Sequence, residues 1–89
     1  MRKIDEARAF IGKMFHAVDL PPPRVLLRAK RPTMFAASDF SIYTICIFGL
    51  PVSKSTCRHE VFEMVLSLAT ASQIAAHEVI ELAERGAAE

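Results

Sequence analysis

The sequence predicts an α+β fold: an N-terminal helix, a small two- or three-stranded antiparallel sheet and a long C-terminal helix that dimerises. Three observations predict it. Apolar residues recur at helical spacing over residues 2–18. A run rich in Phe, Ile, Tyr and Thr, 40-FSIYTICIF-48, follows a proline-rich break. From Ser53 to Gly86 the helical pattern resumes, with no proline or glycine inside it.

In the first helix, Ile4, Ala7, Ile11, Met14, Phe15 and Val18 make the apolar stripe, and Arg2, Lys3, Glu6, Arg8 and Lys13 fill much of the other face. Pro21, Pro22 and Pro23 stop it, because proline lacks the amide donor and restricts the residue before it. The segment 24-RVLLRAKRP-32 follows. Val25, Leu26 and Leu27 suit a short strand, while Pro32, Arg28, Lys30 and Arg31 suit a sheet edge or loop. A turn is expected at Ala37, Ser38 and Asp39, where the Asp39 carboxylate can bond nearby backbone. Phe40–Phe48 reads as the best strand, ended by Gly49 and Pro51. Its antiparallel partner is either 33–37 or 24–29.

The last helix is expected over about 54–85. Ser53 is a suitable N-cap. Val52 and Cys57 are spaced for a hydrophobic staple across that cap. Arg85 in the last turn and Gly86 just past it suit the other end. Within the helix, Val61, Val65, Leu68, Ser72, Ala75, Val79 and Leu82 repeat at 4-3-4-3 spacing, the mark of a seam that faces one way. Phe62, Leu66, Ala69, Ala76, Ile80 and Ala83 run beside it. Small residues at Ala69, Ala71, Ser72, Ala75 and Ala76 let another backbone approach closely. Some 30 helical residues span about 45–50 Å at ~1.5 Å each. A chain of this length folds to a radius of gyration of only about 12 Å. A helix so long needs something besides its own chain to cover it, and a two-fold homodimer is the commonest solution. A break near 70-TASQ-73 is the alternative, although no residue there forces one.

Composition narrows the function. The 89 residues suit one small domain, and 52% of them are hydrophobic, enough for a real core. Eleven basic and ten acidic residues leave a formal net charge of +1, which gives no electrostatic case for a nucleic-acid or membrane-surface protein. Two cysteines, Cys46 and Cys57, are too few for a disulfide framework, so reduced thiols and a cytoplasmic location are expected. Acids at Asp5 and Glu6 fall where an apolar signal core would begin. The central apolar run is too short for the ~20 residues of a membrane span.

Candidate chemistry is sparse. Cys57 at a helix start, beside Arg58 and His59, is a setting that can lower a thiol pKa. Adjacent helical positions point apart, however, and a staple role for Cys57 competes with that reading. Cys57-x-His59 does not have zinc-site spacing, so no metal, cofactor or catalytic residue is assigned. Glu60, Glu63, Glu78, Glu81 and Glu84 read as a solvated helix face. Arg24, Arg28, Lys30 and Arg31 form a local basic patch near Phe35, Phe40 and Tyr43. They suit the rim of a protein interface (Arg24, Arg28, Arg31) or, alternatively, a nucleic-acid contact.

The order Phe40-x-Ile42, then 49-GLPVS-53, then a long helix of small residues resembles a group of small pseudomonad proteins. Their pattern is an F-x-V strand, a Gly-Val-Pro-Leu-like turn, an N-cap and a long Ala-rich helix. The layout is similar to that of the QslA-type quorum-sensing antiactivators. The likeness covers about half the chain, and Phe40 and Gly49 stand further apart than in that pattern. It implies a dimeric, non-enzymatic regulator that sequesters a LuxR-type transcription factor by protein–protein contact. The residues themselves favour the same class: a homodimer, not an enzyme, with Val61, Phe62, Val65, Leu66, Leu68, Ala69, Ser72, Ala75, Val79 and Leu82 at its own or a partner's interface. Two alternatives stand beside it. One is a small-molecule-binding or enzymatic dimer with a site near Tyr43, Cys57 and His59. The other is a nucleic-acid-binding regulator acting through residues 24–31.

Overall fold

A computed structural model describes residues 1–72 of the chain. The elements follow in the order α1 (Ile4–Ala17), β1 (Arg24–Arg28), β2 (Ala36–Asp39), β3 (Thr44–Phe48) and α2 (Lys54–Ser72). The α+β class therefore holds. The expected continuation of α2 to about residue 85 lies outside the described residues.

α1 begins where the Glu6 carboxylate accepts the Lys3 amide at 3.2 Å, and Asp5 and Glu6 place negative charge at the positive end of the helix. It ends before the prolines reach it. Asp19 takes a left-handed conformation at φ 58°. Its amide donates to the His16 carbonyl at 3.1 Å, and the Leu20 amide donates to the Phe15 carbonyl at 3.0 Å. This is a C-terminal cap of the kind glycine usually provides; aspartate tolerates the conformation better than most residues. The prolines then carry an already terminated chain toward β1.

The sheet is mixed, which corrects the expectation of an antiparallel one. Its order is β1-β3-β2. β2 and β3 form an antiparallel hairpin, with Ala37 opposite Cys46. β1 runs parallel to β3, with Val25 beside Ile45 and Leu27 beside Ile47. Residues 24–29 therefore do not form a hairpin with β3; residues 29–35 cross the end of β3 and deliver β2 to the far edge. The physical reason lies in the strands' composition. β3, 44-TICIF-48, buries Thr44, Ile45, Ile47 and Phe48 and takes the centre. β1 carries an exposed arginine at each end and is tolerated only at an edge.

The turn also falls elsewhere than expected. Residues 37–39 are strand, Phe40–Tyr43 turn, and β3 starts at Thr44 rather than Phe40. Asp39 still directs the turn: its carboxylate accepts the Ser41 amide at 3.0 Å and the Ser41 hydroxyl. Tyr43 closes it at φ 51°.

Both helices lie on one face of the sheet, α1 over β1 and α2 over β2, and they also touch each other. Ala7, Ile11 and Phe15 of α1 meet Ile45 and Ile47 of the sheet and Val61 and Val65 of α2, all at 0% exposure. Gly49 leads out of β3 at φ 89°, and a Cβ there would stand 3.1 Å from Lys30 Cβ, where the crossover passes. Only glycine meets both demands without strain. The Leu50–Pro51 peptide that follows is cis. Ser53 caps α2 as expected, its Oγ accepting the Thr56 amide at 3.0 Å. Val52 and Cys57 on either side of the cap are buried at 4% and 1%. Among the described residues, no helix is long and apolar enough to cross a membrane.

Candidate interaction surface

At about 100° per residue, α2 turns Cys57, Val61, Met64 and Val65 inward, each at most 1% exposed. Leu68 is partly buried against the same core. The first half of the predicted seam is therefore covered by the chain's own α1 and sheet. The adjacent stripe rotates onto the shoulder of the helix. Phe62 and Ala69 there are half-buried and Leu66 is 48% exposed. Arg58, one turn before Phe62 on that shoulder, carries an Nη1 that is buried and has no hydrogen-bond partner among the described residues. α2 reaches Ser72, but the environments of the Ala71 and Ser72 side chains are not described, and Ala75, Val79 and Leu82 lie outside the described residues.

The suggested rim residues belong to another layer. Arg24 and Arg28 share the outer face of the sheet with Thr44 and Phe48, their register partners, and the helices cover the opposite face. Arg31 lies over the Phe48 ring, 4.3 Å from its centroid, which explains how Phe48 is 93% covered on that open side. Arg8 of α1 reaches β1 as well, donating from Nε to the Val25 carbonyl at 3.1 Å. Val25 does not pair with β3 through that carbonyl, so Arg8 occupies a peptide group that would otherwise sit bare at the sheet edge.

Tyr43, Cys57 and His59 do not assemble into one site. The Tyr43 hydroxyl donates to the Pro21 carbonyl, and its ring stands edge-on to Phe15 at 5.9 Å. Burial raises the Cys57 thiol to about 11, the reverse of the activation that a helix start and neighbouring cations can give. His59 points outward and pairs with Glu63, Nε2 to Oε1, at 3.0 Å. The aromatic groups of the basic segment are also separated. Phe35, 66% exposed, sits where the crossover enters β2, and Phe40, 46% exposed, sits in the turn at β2's other end. Tyr43 is bonded to Pro21 and Phe40 stands at the other end of β2, whereas Lys30, Phe35 and Phe48 line one groove of about 380 Å³.

Two features escaped the sequence reading. Glu60 is 6% exposed instead of solvated. Its position, one residue before Val61 and three after Cys57, places it beside the inward stripe, and that spacing was the available signal. Exposed apolar groups also occur outside α2, at Leu27, Met34, Phe35, Phe40 and Ile42. No periodicity marks these, because they lie in a crossover, a turn and a strand edge.

No family model, curated protein or solved structure matches this chain.

Proposed function

We propose that this chain is a small non-enzymatic regulator that acts by protein–protein contact, pairing with a second copy of itself through the shoulder of α2. One observation carries the reading: Leu66 stands 48% exposed between half-buried Phe62 and Ala69, on a helix whose other apolar stripe, Cys57, Val61, Met64 and Val65, is already buried in the chain's own core. Isolated exposed leucines are ordinary, but a stripe at i, i+4 and i+7 is the pattern by which a helix docks in a groove or on another helix. The non-enzymatic part is supported by the fate of the nucleophile candidate, Cys57, which is buried and held as the thiol.

In its more specific form, implied by the resemblance to QslA-type antiactivators, the partner is the ligand-binding domain of a LuxR-type transcription factor. Sedimentation equilibrium of the wild-type chain and of Leu66→Lys tests self-association: a dimer that the substitution dissociates supports the reading, and an unchanged distribution refutes it. Calorimetric titration with a purified LuxR-type ligand-binding domain tests the specific form, which no heat of binding would overturn.

A further inference from the structure

His59, Glu60 and Glu63 occupy little more than one turn of α2, at i, i+1 and i+4. His59 Nε2 lies 3.0 Å from Glu63 Oε1, and one ligand-type atom from each of the three residues lies within 4.8 Å of the others. A surface i,i+4 ion pair accounts for His59 and Glu63, whose side chains are 67% and 53% exposed. It does not account for Glu60. Glu60 is only 6% exposed, yet one of its carboxylate oxygens lies within 4.8 Å of the ligand atoms of the other two. Helix and sheet thus hold a second carboxylate beside an exposed imidazole and the Glu63 carboxylate. Beside it opens a groove of about 430 Å³ whose lining includes the hydroxyl residues Thr33, Ser55 and Thr56 and the aromatic Phe35.

We propose that His59, Glu60 and Glu63 bind one divalent transition-metal ion, Zn²⁺ by their ligand chemistry, with its open coordination position toward the groove. One imidazole nitrogen and two carboxylate oxygens suit Zn²⁺. They are too few oxygens for Ca²⁺, which takes six to eight. Bonds of about 2.0–2.2 Å bring ligand atoms to roughly 3–3.6 Å of one another. The present spread must contract by about an ångström, and the two exposed side chains are free to supply that movement. Binding requires a neutral imidazole and ionised carboxylates, so metal and protons compete for the same three side chains. The fourth tetrahedral position falls to water.

The test uses the whole chain, titrated with Zn²⁺ by calorimetry and with Co²⁺ by visible absorbance. One equivalent of metal is expected, with Co²⁺ d–d bands of a low-coordinate site. His59→Ala and Glu63→Gln, both at exposed positions, each weaken binding by at least about tenfold and abolish the bands, while circular dichroism shows the fold retained. Glu60→Gln also weakens it. Cys46→Ser, Cys57→Ser, His16→Ala and His77→Ala leave it unchanged. No uptake overturns the proposal, leaving His59 and Glu63 as an ion pair. So does uptake indifferent to His59→Ala and Glu63→Gln, or lost in the cysteine variants. Binding that survives Glu60→Gln undiminished overturns the three-ligand form.

Discussion

Val65→Ala should damage the folded chain far more than Leu66→Lys, although the residues are adjacent and both belong to predicted apolar stripes. Val65 is 0% exposed, within the cluster that joins both helices to the sheet. Alanine removes two buried carbon groups at about 0.8 kcal/mol each, or ~1.6 kcal/mol. The cavity left behind adds to this, because so small a core relaxes only in part, and about 2 kcal/mol is the expected total. In a domain of this size a loss of about 2 kcal/mol lowers Tm by roughly 8–16 °C. Leu66 is 48% exposed. Lysine has similar helix propensity, keeps a long aliphatic stem and sits three residues after Glu63, so the change should stay within about 0.5 kcal/mol. The assay is thermal unfolding by circular dichroism at a concentration low enough to keep association from contributing, followed by sedimentation of both variants. A Leu66→Lys chain that melts lower than Val65→Ala would refute the reasoning, because the helix would then present its other stripe to the core.

Gly49→Ala should cost about 1–3 kcal/mol, since alanine must adopt a positive φ and press on Lys30; the shift in urea midpoint measures it. Ser53→Ala should cost about 1 kcal/mol through loss of the α2 cap, read in the same way. Tyr43→Phe keeps the ring on Phe15 and loses the bond to Pro21, for about 0.5–1.5 kcal/mol. Burial raises the Tyr43 phenol above its ordinary 10.0, so the folded state holds that proton more tightly than the unfolded chain. Stability should accordingly fall as pH rises through 10 and beyond, and Tyr43→Phe should remove that part of the slope. Iodoacetamide at pH 8 should modify half-buried Cys46 before Cys57, which is 1% exposed and raised to about 11; peptide mapping by mass spectrometry shows the order.

Legibility varied with the range of the interaction involved. Ser53, Val52 and Cys57 announced the start of α2, because a cap and its staple act within five residues. The stripe Ala7, Ile11, Met14 and Phe15 announced the buried face of α1, because 3.6-residue periodicity is a local property. Asp39 was recognised as a turn former, yet its turn lies after it, since an aspartate can bond backbone on either side and only the hairpin register selects one. The candidate surface was half legible. Both apolar stripes of α2 could be found, but which of them faces the core depends on where α1 and β2 press, and a periodic pattern does not contain that information. Glu60 was misplaced for the same reason: a glutamate at a flanking position is solvated or buried according to what lies opposite, here β2.

By itself, then, the sequence determined that a helix precedes and another follows a short apolar strand segment, and that the second begins just after Ser53. These depend on propensity, periodicity and capping within a few turns of the chain. The tertiary structure alone decided that β3 lies between β1 and β2 with β1 parallel to it, that Val61 and Val65 serve the chain's own core while Leu66 remains outside, and that Glu60 is enclosed beside His59 and Glu63. Those outcomes are set by competition among distant segments for the few positions a small core offers: the most apolar strand takes the centre, and the arginine-flanked one is left at the edge.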